Sequence, residues 1–149
     1  MMRLSVVKGE RSETAKNLEA LNVARQLCVH TITLCKSEKN FPKRNRWLLT
    51  QPIVEQSVKA YTHMRKANAI KVVTWDDYKL RRAHQIKART CLEALLGLID
   101  ITKEVLGDNG LNVEFWVKLT TQTEILLAAW RASDRKRFKA LKDSQAEKA

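Results

Sequence analysis

Glycine and proline are scarce in this chain, four and two in 149 residues. So few turn formers disfavour the many reversals of a β-sandwich or barrel and favour a few long helices. Leu18, Leu21, Arg25, Cys28, Ile32 and Cys35 recur at alternating steps of three and four, and Leu27 and Leu34 widen the stripe. Glu19, Asn22, Gln26, His30 and Thr33 fall opposite, so the segment reads as an amphipathic helix. Either hydroxyl of Ser12-Glu13-Thr14 suits its N-cap, and it runs to about Lys39.

Asn40-Phe41-Pro42 breaks it, because proline lacks an N–H and disfavours helix in the residue before it. A second helix follows from about Arg44 to Ile70, with Leu49, Ile53, Ser57, Ala60, Met64 and Ala67 inward. Pro52 either kinks it or sits in its first turn after Thr50. Thr74-Trp75-Asp76-Asp77 opens a third helix, a cap followed by acids that suit the helix dipole. Its expected seam is Leu80, His84, Lys87, Cys91, Ala94, Leu98, Ile101 and Val105, with Ala88, Leu92, Leu95 and Ile99 beside it. It ends near Leu106 at Gly107-Asp108-Asn109-Gly110. Asn112 caps a fourth helix carrying Phe115, Trp116, Leu119, Thr123, Leu126, Leu127 and Trp130, which frays after about Phe138.

Four helices of roughly 27 residues with short connections predict an all-α fold, an antiparallel up-down-up-down four-helix bundle. The bundle is expected over residues 12–138, between a flexible tail at 1–11 and a basic, polar tail at 139–149. Ile86, Leu96 and Ile125 project to sides that a monomer leaves wet, which predicts a homo-oligomer.

The formal net charge of +12 is unevenly placed. Phe41 to Thr90 holds 12 Lys/Arg against three acids, Cys91 to Trp130 two against six, and Arg131 to Ala149 is basic again. Clustered positive charge of this size attracts a polyanion, of which nucleic acid is the commonest in a cell. A basic surface serving only solubility is the alternative reading. The N-terminal residues hold no apolar run suited to a secretion signal, and Ile125 to Trp130 falls far short of the ~20 residues that span a bilayer. Three cysteines without a CxxC, Cys28, Cys35 and Cys91, read as free thiols in a reduced compartment. A cytoplasmic protein with no membrane association is expected.

No catalytic constellation is legible. The three histidines fall singly on the first three helices, with no Glu-x-x-His pair. Lys87 at i+3 from His84 opposes a metal there, and Cys28 and Cys35 lie two turns apart, too far for one ion. Phosphate loops and nucleophile elbows are absent. A helical nucleotide-dependent transferase, such as a cobalamin-adenosylating one, would need such a loop. The chain reads as a non-enzyme without cofactor or metal.

The cations form three groups: Lys43, Arg44 and Arg46; Arg65, Lys66 and Lys71 with Lys79, Arg81 and Arg82; and Arg131, Arg135, Lys136, Arg137 and Lys139. In an up-down bundle the second and third groups meet at one end, a phosphate-contacting surface without a sequence-reading element. Trp47 and Trp75 would stack on bases or plug a bundle end.

Phe41-Pro42-Lys43 leading into Arg46-Trp47-Leu48-Leu49, Ala67-Asn68-Ala69-Ile70, Lys87-Ala88-Arg89 before Cys91-Leu92-Glu93-Ala94-Leu95-Leu96, and Trp130-Arg131-Ala132-Ser133-Asp134-Arg135 occur in this order. Over about residues 14 to 138 the chain resembles the bacterial four-helix-bundle family that includes the accessory variability determinant (Avd-like) of diversity-generating retroelements and relatives encoded within ribosomal RNA insertions. Ala128-Ala129 stand where that family often has a Gly-Gly pair. The resemblance implies a basic pentamer that binds a reverse transcriptase and its template RNA and supports mutagenic cDNA synthesis without catalysing it. The contacts it implies fall on the basic positions of helices 2 and 3, Arg89 included, and after Trp130. A structural four-helix interaction protein with no nucleic-acid role is the alternative.

Overall fold

The computed structural model describes the backbone of residues 8–108 and 110–148, and the side chains of 17–108 and 110–144. Five α-helices, four of them long, account for nearly all of it: α1 (Lys8–Lys36), α2 (Gln51–Ala69), α3 (Trp75–Leu106), α4 (Val113–Arg137) and α5 (Lys139–Lys148). There is no strand among the described residues. One hydrophobic cluster is shared by α1 to α4, with Leu27, Ile53, Met64, Leu92, Leu95, Ile99, Trp116, Leu127 and Trp130 almost fully enclosed. Each large apolar side chain so buried contributes about 1.5–3 kcal/mol of transfer free energy. α2 packs most extensively on α3, and α1 on both α4 and α2.

Local chemistry sets the boundaries. α1 begins at Lys8, four residues ahead of the expected Ser12 cap, so Lys8 to Arg11 belong to the helix and not to a tail. Residues 1–7 of that expected tail lie outside the described ones. The helix stops at Lys36, and Ser37 turns the chain by accepting the N–H groups of Asn40 and Phe41. Phe41 then inserts, 3% exposed, edge-on to Trp116 at 6.3 Å.

The expected second helix is not uniform. Lys43–Asn45 is a 3-10 turn, Arg46–Thr50 a π-helical turn, and only Gln51–Ala69 is α-helical. Pro52 lies in the first turn of α2, where its missing N–H would have had no helical partner. The wide turn before it absorbs the residue that proline would otherwise force into a kink. The inward row is as the spacing predicts: Leu49, Ile53, Ser57, Ala60, Met64 and Ala67 are all buried.

α3 starts with a full capping box. Thr74 Oγ1 accepts the Asp77 N–H at 3.1 Å, and the Asp77 carboxylate accepts the Thr74 and Val73 N–H groups at 3.0 Å each. It ends at Gly107, whose φ of 78° favours glycine. The face of α3 that meets the core differs from the expected seam. Tyr78, Arg81, Gln85, Ala88, Leu92, Leu95, Ile99 and Thr102 are buried, whereas Leu80, Ile101 and Val105 are more than half exposed. The true seam is the expected one displaced by one residue from Arg81 to Thr102, a rotation of about 100°, onto the row of Ala88, Leu92, Leu95 and Ile99 that the sequence placed beside it. Its cause is polar: Arg81 and Gln85 reach the carboxylate of Asp134, and α3 turns to bury them.

That network joins the start of α3 to the end of α4. Arg81 grips Asp134 through Nε at 2.8 Å and Nη2 at 2.9 Å, and Gln85 Nε2 adds a third donor at 2.9 Å. Arg81 Nη1 reaches the Ile70 carbonyl at 3.4 Å, and its guanidinium lies 5.3 Å from the Trp130 ring centre and 5.7 Å from that of Phe138. Burial pushes the Asp134 carboxyl upward, opposed by Arg81 and Gln85. At the opposite end Trp116 Nε1 donates to Thr31 Oγ1 at 3.0 Å, both fully buried.

Residues 139–148 form α5 rather than a frayed tail. Phe138, 8% exposed, breaks α4 for one residue and packs on Tyr78 at 5.7 Å, and its carbonyl accepts the Leu141 N–H. Leu18 and Phe115, expected inward, are exposed at 54% and 47%.

The buried ion pair gives a direct check. Asp134→Ala leaves Arg81 charged and unpaired and should lower the unfolding free energy by about 3–5 kcal/mol. The Arg81→Met, Asp134→Leu double variant should recover more than half of that loss in urea denaturation.

Candidate nucleic-acid interface

The third basic group meets the start of α3 in a groove of about 800 Å³ lined by Trp75, Tyr78, Arg82, Ala132, Arg135, Lys136, Lys139, Lys142 and Asp143. Three helices build it. Trp75 and Tyr78 share the first turn of α3, their rings tilted at 34° with centres 4.9 Å apart. Arg82 follows one turn beyond Tyr78 on the same face of α3, about 100° round the helix from the buried Arg81. Arg135 and Lys136 come from the last turn of α4, Lys139 and Lys142 from the first turn of α5. Five cations thus face one carboxylate, that of Asp143, around the half-exposed Trp75 ring, which Tyr78 backs from the core.

The basic track continues along α3 and α4. Arg131 is half-buried, and burial followed by the charges of Arg89, Arg82 and Arg135 makes its proton easier to lose. Mutual repulsion among fixed guanidinium groups of this kind is relieved by a bound polyanion. Glu124 is pushed up by burial and by Glu93, with Arg89 opposing, so the charge of Arg89 is partly offset by a neighbouring carboxylate.

The other expected contacts are distributed as follows. Arg81 is 6% exposed and held by Asp134, so it is a structural residue withdrawn from the surface. Lys79 pairs with Asp76 at 3.3 Å on the surface. Arg65, Lys66 and Lys71 are exposed at and beyond the end of α2, and Arg137 lies 4.9 Å from the Phe138 ring centre. Lys43, Arg44 and Arg46 precede α2 and stand roughly 28 Å along its axis from the second group, given 1.5 Å of rise per residue. Lys43 reaches Glu38 at 3.5 Å, and Arg46 borders a shallow apolar cleft with Trp47. Trp47, 74% exposed beside Leu48 at 75%, plugs nothing. Trp116 and Trp130 fill the ends of the core.

Two features escaped sequence reasoning. Tyr78 and Lys142 line the groove, the latter because α5 was read as a tail. The second is a histidine pair: His63 and His84 bring Nδ1 to 3.1 Å from Nδ1, rings stacked at 28°. Their positions hold the signal, since they lie eleven residues before and ten after Thr74. Burial lowers both below the ordinary 6.5, and Lys66 and Lys87 lower both further. Burial pushes the Cys35 thiol up to about 12, and raises Cys28 and Cys91. No group of three His, Cys, Asp or Glu suited to a metal occurs among the described residues, and no helix among them is long and apolar enough to cross a membrane.

Comparison with family models, with curated proteins and with solved structures found no match to this chain.

Because burial and the neighbouring cations lower both imidazoles in the fold, the unfolded chain binds more protons just below the ordinary value. Stability should therefore be fully present above about pH 6.5 and decline as pH falls below it. His63→Gln, His84→Gln should flatten that decline in thermal melts between pH 7.5 and 5; an unchanged slope would place its origin elsewhere.

Proposed function

We propose that this protein is a non-catalytic nucleic-acid-binding subunit whose single-stranded RNA or DNA lies in the groove between α3, α4 and α5. The groove carries the reading: the half-exposed ring of Trp75, backed by the buried Tyr78, beside Arg82, Arg135, Lys136, Lys139 and Lys142. Flat rings stack on any base, and cations track the phosphates, so such a surface binds strands with little sequence preference. Single strands suit it better than a duplex, whose bases are already stacked on one another.

The helices are read as an antiparallel up-down-up-down four-helix bundle. His63 meeting His84, Arg81 meeting Asp134 and Trp116 meeting Thr31 support that path. Taken with the family resemblance of the sequence, the subunit is an accessory component of a diversity-generating retroelement, with the reverse transcriptase and its template RNA as partners in the cytoplasm. Exposed Leu80, Ile101 and Val105 on α3 and Ile125 on α4 favour assembly of several copies, a pentamer by the same resemblance.

Binding of a fluorescent oligouridylate should weaken steeply with salt. With five groove cations engaged, the slope of log K against log salt is about −3 to −4, or a roughly hundredfold loss between 50 and 200 mM. Arg82→Ala, Arg135→Ala should reduce that slope by about 1.4, and Trp75→Ala should weaken binding roughly tenfold at every salt concentration. A probe left unmoved at low salt would point instead to a structural bundle that meets only proteins.

A further inference from the structure

The His63–His84 pair lies on the α2–α3 face and takes no part in the groove. A contact of 3.1 Å between two Nδ1 atoms requires an N–H on one ring and a lone pair on the other. The pair therefore accepts one added proton with its bond intact, and a second proton forces the rings apart. The charged groups around it are Lys59 and Lys66 from α2 and Lys87 from α3. Lys59 is engaged by Glu55 at 2.7 Å, whereas Lys66 and Lys87 are exposed and carry no ion pair among the described residues.

Without a ligand these groups repel one another and hold the imidazoles neutral. A divalent metal would add to the repulsion, although two nitrogens so spaced resemble adjacent ligands of one ion. An oxyanion reverses it. Its oxygens accept from the two ammonium groups, and its negative charge favours a proton on the histidine pair, which becomes a further donor.

We infer that His63, His84, Lys66 and Lys87 form a phosphate-binding site, separate from the groove, that takes up a proton from solvent as it binds. No covalent step is involved: the anion gains hydrogen bonds and the pair gains a proton. The phosphate group belongs either to a polynucleotide backbone or to the free anion. This inference goes beyond the groove reading and stands without it.

NMR titration of the imidazole resonances of the full chain tests it, in chloride and in inorganic phosphate at equal ionic strength. The midpoints of His63 and His84 should rise by about one pH unit in phosphate. His30, half-buried on α1 beside Phe115, is the internal reference and should stay in place. Shifts at His63 and His84 no larger than at His30 would overturn the site. The second arm measures oligouridylate affinity at pH 7.5 and pH 6. Binding about tenfold tighter at pH 6, lost in His63→Gln, His84→Gln, assigns the phosphate to a polynucleotide. Shifts with inorganic phosphate but pH-independent oligouridylate binding assign it to the free anion. Oligouridylate bound with neither response removes this site and leaves the groove; phosphate shifts without any oligouridylate binding do the reverse.

Discussion

Burying a guanidinium and a carboxylate together costs several kcal/mol per ion, and only near-complete hydrogen bonding offsets it. Arg81 and Asp134 meet that condition with two parallel bonds, a Gln85 amide, the Ile70 carbonyl and two aromatic faces. Apolar residues of similar size should restore most of the stability lost when the pair is broken. What the ion pair adds is register: it admits one rotation of α3 and one axial position of α4. Trp75, Tyr78 and Arg82 are fixed by the first choice, Arg131 and Arg135 by the second. The groove is the outer side of this buried clamp, and Phe138, packed beneath the same guanidinium, sets where α5 departs with Lys139 and Lys142.

Much of the architecture was legible in the sequence because it follows from local rules. The Thr74 cap, the Gly107 stop, the Asn112 cap and the inward row of α2 depend on nearest neighbours and on period. The phase of α3 was not legible. Two apolar rows run side by side there, and the row that wins carries Arg81 and Gln85, which no hydrophobic count would place inside. Their partner lies 53 residues away from Arg81, beyond any local pattern. Polar residues at core positions are where pattern reading fails, and here they are also where the candidate site is anchored. Reading α5 as a tail has the same origin: Lys139–Lys148 has little apolar periodicity, and its position is set by Phe138.

The charges separate into two kinds of surface. Guanidinium groups at Arg82 and Arg135 in the groove are permanent charges, so the proposed attraction of phosphates would not depend on pH in the physiological range. The histidine pair, by contrast, is neutral at rest and gains charge only where an anion or acid favours it. Lys43, Arg44 and Arg46, with exposed Trp47 and Leu48, lie apart from both, at the far end of α2. Grouping the cations by space rather than by chain position thus changes which are partners: Arg81 leaves the set, and Lys142 enters it.

Photocrosslinking tests most directly whether the clamp serves a strand-binding groove. An oligonucleotide carrying 4-thiouridine would be irradiated in complex with the intact protein, and the attachment points mapped by mass spectrometry. Attachment in the peptide that carries Trp75 and Tyr78, lost when Arg82 and Arg135 are both replaced by alanine, is the expected outcome. Attachment confined to the Trp47 end, or spread evenly over the surface, would contradict the account.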